Sequence, residues 1–358
     1  MEKELFMQDN NKTNMIHTYK LYLLMAFTAC TQKGLIKEII NTTNMNLSIK
    51  YEPSVCAPKL YPVEVYRGDF YTEDDWLPIP NGGIVEDGWG DNSMNMGDGS
   101  LIPTAFKITY FSYVENKFYT GDFKLPYDLI EKLFKEGMIS YPSMKQVSFH
   151  AMIVGMAPGG VLVVWMKGDT KQVEIGRFQA TETTMEWEAF KRNTGYTREE
   201  FLRRTIDHRT EAVVNFEKNG LMLGLWDTYR VKYNWRPKFE FPEGSKVEGI
   251  DLKMYNGEAF FLWGDELAKN AFEPRAITWR SELLWADETG QKYGADIDFD
   301  EAEIFEAYKQ IYRNDKEQNA ELVIKYNDTR TSLEFYLRSK SEEIEIEKCK
   351  VKMFKRSK

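Results

Sequence analysis

An alternation of apolar and polar positions followed by a helical period occurs twice along the chain. The stretch FKITYFSYVENKFYTGDFKLPYDLIEKLFKEG from Phe106 predicts two strands and a helix, and ITWRSELLWADETGQKYGADIDFDEAEIFEAYKQIY from Ile277 predicts the same order. The two helices keep their register at matched positions, which are Leu125 with Phe299, Pro126 with Asp300, Ile130 with Ile304, and Phe134 with Tyr308. We therefore predict that the fold contains an internal repeat.

Further strands flank this unit. Val63 and Val65 alternate with polar residues in LYPVEVYRG, and the same order recurs in LKMYNG from Leu252. Two apolar runs on either side of residues 157–160 predict a hairpin, and residues 172–178 predict a third strand. These patterns indicate sheets in which neighbouring strands run antiparallel.

The segment between the two copies has a different pattern. Apolar residues recur at helical spacing over residues 184–193 and 197–218, and Thr197 with Glu200 matches a capping box. We predict an α+β fold of mainly antiparallel sheets, with two repeated sheet-plus-helix units and a helical insert between them. The predicted divisions are a leader with a lipoprotein signal peptide (1–29), a tether (30–50), the first repeat (51–180), the helical insert and connector (181–235), and the second repeat (236–358).

The start of the chain resembles the leader of a lipid-anchored secreted protein. The apolar run 21–29 is too short to cross a bilayer, which needs about 20 residues in a helix. Small residues precede Cys30, as in a bacterial lipobox, although Phe27 replaces the usual leucine. We expect lipid on Cys30, and a start at Met15 would give the leader a conventional basic beginning. The alternative is a buried helix or strand that ends at an ordinary cysteine.

Composition narrows the class of protein. The 358 residues are 42% apolar, which is enough for one large core or two modest ones, and the 14% aromatic content favours sheets. The net charge of -9 argues against a nucleic-acid partner, because such a protein needs a dense basic face. The short basic tail 348–358 is interpreted as a solvated strand end.

No stretch carries a recognisable catalytic or metal-binding signature. The loop at residues 86–100 is rich in oxygen ligands, but Met96 and Ile102 occupy the glycine and bidentate glutamate positions of the EF-hand template. We interpret the loop as turn chemistry, with an irregular calcium site as the alternative. His208 and Glu211 share a helical face but have no second pair of ligands. We therefore predict no catalytic residue, no cofactor and no metal.

Aromatic and acidic residues stand side by side in predicted loops. Such surfaces stack on sugars or anchor a protein partner, and ordinary packing at the edge of a core is the alternative interpretation. The candidate binding residues are Asp69, Tyr71, Asp74, Asp75, Trp76 and Trp89.

Two cysteines remain when Cys30 is reserved for lipid. A secreted location would permit Cys56 and Cys349 to pair. However, Cys349 falls where the alternation of the predicted strand 344–353 slips, which indicates a bulge that redirects its side chain. We predict two separate, buried thiols, with a disulfide as the alternative.

Six stretches together resemble one known family. They are the lipobox, APKLYPVEVYRGDFY, NGGIVEDGWG, VGMAPGGVLVVW, YNWRPKFEFPEG and FDEAEIFEAYKQIY. The chain is similar, from about residue 51 to its C-terminus, to the Bacteroidota envelope lipoproteins classed as domain of unknown function 2931. The resemblance implies an envelope lipoprotein and carries no activity with it.

Two classes of function are compatible with these patterns. The preferred one is a non-enzymatic lipoprotein of the Gram-negative outer membrane, facing the periplasm, that binds a protein or glycan; a special form would be an immunity protein that blocks a periplasmic toxin. The alternative is a hydrolase that acts on an envelope or dietary polymer through a carboxylate pair. A cleft with two carboxylates, one of raised pKa, would favour the hydrolase, and a flat aromatic and acidic surface would favour the binding protein.

Overall fold

The first half of the folded chain consists mainly of strands, with one α-helix among its described elements. The computed structural model describes residues 49–356 apart from residues 96, 193, 328 and 330, and these belong to one compact unit. The predicted leader, Cys30 and most of the predicted tether lie outside the described residues. The elements of the first half are β1 (Glu52–Cys56), β2 (Val63–Tyr71), β3 (Trp76–Pro78), β4 (Ile84–Val85), β5 (Met94–Asn95), β6 (Ala105–Ser112), β7 (Lys117–Lys124), α1 (Tyr127–Glu136), β8 (Met138–Ile139), β9 (Gln146–Val147), β10 (Ala151–Ala157), β11 (Val161–Lys167), β12 (Lys171–Gln179) and β13 (Thr181–Thr183).

Two sheets enclose the core of the first half. In one, β1 pairs in parallel with β10, and β11 and β12 follow as antiparallel neighbours. In the other, the strand order is β13-β7-β6-β2-β3, and β4 also pairs with β2. Apolar side chains from both sheets and from α1 meet between them, including Val65, Phe106, Ile130, Phe134, Val154 and Val164.

The first predicted helix is confirmed as α1. Ile130 and Phe134 are its buried residues, which explains the three-to-four spacing of apolar positions. The helix ends at Gly137, whose φ of 54° lies in the left-handed region that favours glycine. The N–H of Gly137 donates to the carbonyl oxygen of Leu133 at 2.9 Å and closes the last turn. The predicted hairpin is also confirmed, as β10 and β11.

Short helices connect the halves. They are α2 (Trp187–Phe190), α3 (Arg198–Asp207), α4 (Thr210–Asn219) and α5 (Leu225–Thr228). The capping box of Thr197 and Glu200 is confirmed at the start of α3. Two details differ from the prediction: the first three residues of the predicted insert form β13, and the period over 197–218 is divided between α3 and α4. The division falls at Arg209, whose guanidinium donates to the carbonyl oxygen of Thr205 at 2.9 Å.

The second half again combines strands with a long helix. Its elements are β14 (Tyr233–Glu240), β15 (Lys246–Met254), β16 (Ala259–Trp263), α6 (Gly264–Lys269), β17 (Glu273–Arg275), β18 (Thr278–Ala286), β19 (Lys292–Asp298), α7 (Glu301–Ile311), β20 (Ala320–Tyr326), β21 (Leu333–Ser339), β22 (Glu343–Ile346) and β23 (Lys350–Lys355). One sheet has the order β17-β14-β20-β21-β22, with β14 and β20 parallel. The strands β16, β15, β18, β19 and β23 are consecutive antiparallel neighbours in another. Ile304 and Tyr308 of α7 pack into the core between them.

The two halves join edge to edge. Strand β12 pairs with β16, and the result is a ten-stranded sheet that runs through both halves. At this joint the buried amide of Gln172 donates to the carbonyl oxygens of Gly90 at 2.7 Å and Gly257 at 2.5 Å. A Cβ atom on Gly90 would lie 2.7 Å from the Cα of Gly257, and both glycines have positive φ. The joint therefore needs glycine at both positions.

The predicted single strand over residues 344–353 is wrong. Strand β22 ends at Ile346 in the five-stranded sheet, and β23 begins at Lys350 in the ten-stranded sheet. The carboxylate of Glu303 stabilises the crossing between them, because it accepts the N–H groups of Glu347 at 3.2 Å and Lys348 at 2.7 Å. The slip in alternation thus marks a change of sheet.

Both remaining cysteines are free thiols, as predicted. Cys56 is buried in β1, and Cys349 lies in the crossing before β23, where it is half-buried. The prediction of two buried thiols therefore holds for Cys56 and is wrong in that detail for Cys349.

The architecture is mixed α and β with mostly antiparallel sheets, as predicted. Among the described strands, parallel pairing occurs between β1 and β10 and between β14 and β20. Within residues 49–356, as far as they are described, no helix is long and apolar enough to span a membrane.

Candidate functional site

The turn between β2 and β3 presents most of the predicted binding residues. Thr72 organises this turn: its N–H donates to the carbonyl oxygen of Asp75 at 2.8 Å, and its hydroxyl accepts the N–H of Asp75 at 3.1 Å. The N–H of Trp76 donates to Oδ1 of Asp75 at 2.8 Å. The turn is therefore ordered by its own hydrogen bonds.

The side chains around this turn form an exposed aromatic and acidic surface. Trp76 is 64% exposed, and Asp74 and Asp75 are exposed beside it. Tyr71 is the strand partner of Trp76, and a hydrogen bond from its hydroxyl to Asp122 at 2.5 Å raises the pKa of Tyr71. No ion pair within the described part of the chain neutralises Asp74 or Asp75. We call Tyr71, Asp74, Asp75 and Trp76 the hairpin surface.

Two of the predicted residues are not available on that surface. Asp69 is buried in β2, and its carboxylate lies 3.6 Å from both Nε of Arg67 and Nζ of Lys107. Trp89 is half-buried in an apolar cluster elsewhere, where its ring centroid lies 4.9 Å from that of Trp165. Asp69 therefore contributes to packing, and Trp89 lies away from the hairpin surface.

A cleft of about 200 Å³ lies where the two halves join. It is lined by the loop that carries Trp89, by the turn between β11 and β12, and by residues of β15 and β18. Its side chains include Trp89, Trp279, Lys167, Lys253 and Asp251. The cleft thus combines aromatic walls with charges of both signs.

A comparison with family models identifies the chain. A model described as protein of unknown function (DUF2931) matches residues 40–220, which is about half of the 358 residues. This chain belongs to the DUF2931 family. The predicted family is confirmed, over a shorter span than the resemblance covered, while a Bacteroidota origin stays a prediction. No curated protein and no solved structure matches the chain.

The family match covers the hairpin surface but only part of the cleft. Trp89 and Lys167 lie inside the matched DUF2931 segment, whereas Asp251, Lys253 and Trp279 lie in the second half, outside it. The cleft therefore depends on residues that the family model does not describe.

Asp251 is the cleft residue with the most perturbed environment. Burial raises the pKa of its carboxyl, and the nearby Glu282 adds to the rise, while Lys253, Arg280 and Lys167 oppose it. Asp251 and Glu282 are strand partners across β15 and β18. Among the described residues none forms an ion pair or a hydrogen bond with this partly desolvated carboxylate, which makes it a candidate for contact with a ligand.

The loop 86–100, the pair His208 and Glu211, and the thiol of Cys56 were the other groups considered for binding or catalysis. Nε of Arg209 lies 2.6 Å from Glu86, at the start of the loop 86–100. In the part of the chain that the structure describes, no group of three or more His, Cys, Asp and Glu residues is placed to hold a metal ion, and this includes His208 and Glu211. Burial raises the pKa of the Cys56 thiol to about 12, so Cys56 is not a nucleophile.

The sequence reasoning named Trp89 and missed the other cleft residues. Asp251 and Lys253 alternate with buried residues of β15, so their position on the outer face of a strand was visible as a period of two. Their approach to Lys167 depends on the pairing of β12 with β16, for which the sequence carries no local signal.

Proposed function

We propose that this protein is a lipid-anchored, non-catalytic binding protein of a bacterial cell envelope, and that the hairpin surface docks a protein partner. The supporting observation is the exposure of Trp76 in a turn that is already ordered. Tryptophan dominates protein interfaces because it buries a large area at little entropic cost, and an ordered turn lowers that cost further. Asp74 and Asp75 are exposed and have no ion-pair partner within the described residues, which favours a partner with a basic surface.

Purification of the protein from detergent-solubilised host membranes tests this function. Loss of a central tryptophan typically costs 2 kcal/mol or more, so Trp76→Ala should weaken retention of the partner by about 30-fold in dissociation constant. Leu223→Ala is the matched control, because Leu223 is 66% exposed and lies in the connector. A partner retained equally by the wild type and Trp76→Ala would exclude the hairpin surface as its docking site.

We also propose that Cys30 carries the lipid and holds the protein at the outer membrane, facing the periplasm. The support is the lipobox pattern before Cys30. Labelling of growing cells with an alkyne analogue of palmitate should mark the wild type and not Cys30→Ala. An unlabelled wild type would contradict the lipid anchor, but it would not affect the proposal that the hairpin surface docks a partner.

A hydrolase remains the second candidate, on one observation. Burial raises the pKa of Asp251 at a cleft, and Glu282 is its direct strand partner, so two carboxyl groups stand near each other. Release of reducing ends from envelope polysaccharide, abolished in both Asp251→Asn and Glu282→Gln, would decide for this function.

We further propose that the halves arose by duplication, with repeats at residues 51–180 and 236–358 around the connector. The support is the order of strand pairing. In each half a parallel pair, β1 with β10 or β14 with β20, precedes two antiparallel strands, and the long helix follows a three-stranded meander. Superposition of experimental coordinates tests the proposal, and a different strand order in the two halves would contradict it.

A further inference from the structure

Some charged groups in the cleft have no partner among the residues that the structure describes. In the described part of the chain, Lys167, Lys253 and Asp251 form neither an ion pair nor a side-chain hydrogen bond, although they line the same small space. The indole N–H of Trp89, in the same lining, is buried and also unpartnered. The Trp89 N–H is fully buried and the Asp251 carboxylate is half-buried, and burial without a partner costs free energy, so a ligand that hydrogen-bonds at this place would be favoured. Lys167 is half-buried and Lys253 is exposed beside them, where both can reach such a ligand.

Neighbouring charges of the cleft are already used. Nζ of Lys171 lies 3.0 Å from Glu266, and Nζ of Lys232 lies 2.7 Å from the buried Glu258. The first pair connects β12 with the second half across the joint, and the second pair neutralises Glu258 at the wall of the cleft. The side chains of Lys167, Lys253 and Asp251 are not part of these ion pairs, so they are available to a ligand in the cleft.

The positive and negative side chains in the cleft indicate which kind of ligand it can bind. A cationic ligand would be repelled by Lys167 and Lys253, and an anionic ligand would be repelled by Asp251 and by the exposed Asp91 at the rim. A hydroxyl group suits both, because it donates to a carboxylate and accepts from an ammonium group. A neutral compound rich in hydroxyl groups satisfies all of these side chains.

The volume of the cleft and its aromatic wall limit the class of ligand further. The volume of about 200 Å³ is below that of sites for drug-sized ligands, so the cleft holds one ring while the rest of the molecule stays outside. Trp279 is 38% exposed at the wall and offers an apolar face. The flat C–H face of a sugar ring packs on such an indole while its hydroxyl groups point to the charged side chains.

We propose that the cleft at the joint between β12 and β16 binds one ring of a neutral oligosaccharide. Asp251 accepts hydrogen bonds from ring hydroxyl groups, Lys167 and Lys253 donate to them, and Trp279 stacks on the ring. The site is separate from the hairpin surface, so the protein has two independent binding places.

Titration of the purified chain with cellotetraose, laminaritetraose, maltotetraose and mannotetraose tests the site, with calorimetry and tryptophan fluorescence as readouts. At least one of these neutral probes should bind. Trp279→Ala should weaken it by about 10-fold through lost stacking, and Asp251→Asn by 10-fold or more through a lost charged acceptor. Leu223→Ala, outside both the cleft and the hairpin surface, should bind as the wild type does, and circular dichroism confirms that each variant is folded.

The outcomes separate the site from the proposed function. Absence of binding by all four probes at about 10 mM, a range in which even the weakest sugar sites are occupied, would overturn the saccharide site. Tighter binding of tetragalacturonate or of a chitosan tetramer would overturn the assignment of a neutral ring. Binding that survives both Trp279→Ala and Asp251→Asn would place the sugar elsewhere and refute the cleft. Shorter sugars released in the same samples would support the site and favour the hydrolase.

Discussion

The joint between the halves gives the sharpest prediction for stability. In Gln172→Ala the carbonyl oxygens of Gly90 and Gly257 both lose their donor inside a buried, tightly approached region. An unsatisfied buried polar group costs about 1–3 kcal/mol, so two of them give an expected loss of about 2–6 kcal/mol in the free energy of unfolding. Equilibrium unfolding in urea, followed by circular dichroism, measures this loss.

The chain provides a matched control for this experiment. The amide of Gln179 also donates to two carbonyl oxygens, those of Gly159 at 2.7 Å and Ala180 at 3.2 Å, but Gln179 is exposed and water can replace it. Gln179→Ala should therefore cost less than about 1 kcal/mol. Equal losses in the two variants would refute the reasoning, because burial at the joint would then have no effect.

Three further predictions follow from buried or desolvated groups. Lys191→Met leaves the buried Glu64 without its cation, which lies at 2.5 Å, and should cost about 3 kcal/mol in urea unfolding. Lys117→Met, at the exposed pair with Glu182, should lower the stability much less. Burial raises the pKa of Asp251 in the folded protein above its unfolded value of about 3.9. The stability that Asp251 contributes is therefore present below the unfolded pKa and is lost as the pH rises through the folded pKa. Asp251→Asn should be more stable than the wild type at pH 7 and equally stable below about pH 4. Cys56, whose thiol has a pKa of about 12 through burial, should resist alkylation at pH 8 until the protein unfolds, and rapid labelling of the native protein would show that β1 is not buried.

Local elements were predictable because their signals lie within a few residues. The apolar spacing and Gly137 define α1, and the reciprocal hydrogen bonds of Thr197 and Glu200 define the start of α3. The hairpin surface belongs to the same class, since Tyr71 and Trp76 are brought together by a short turn. Each of these features follows from backbone geometry that neighbouring residues control.

The joint and its cleft were not predictable, because they depend on contacts between distant residues. Gln172 meets Gly90 and Gly257, which are 82 and 85 residues away in the sequence. Trp89 was predicted on an exposed surface because it stands in a loop rich in glycine and acids. The loop instead inserts the indole against Trp165 and Trp226, and no periodicity within the loop indicates this.

The prediction of a single strand over residues 344–353 was wrong for a related reason. The alternation slips between β22 and β23, and the slip was interpreted as a bulge within one strand, whereas residues 347–349 form a crossing that the carboxylate of Glu303 caps. A pattern of period two shows which residues face a core, but it does not show to which sheet a strand belongs.

Photocrosslinking from position 76 in living host cells tests the central claim most directly. A photoreactive phenylalanine replaces Trp76 in one strain and Leu223, of similar exposure, in another. We predict one discrete adduct of higher mass from position 76, with a partner that presents basic residues at the linked site, and no such adduct from position 223. Absence of an adduct at position 76, or the same adduct from both positions, would contradict a binding function for the hairpin surface.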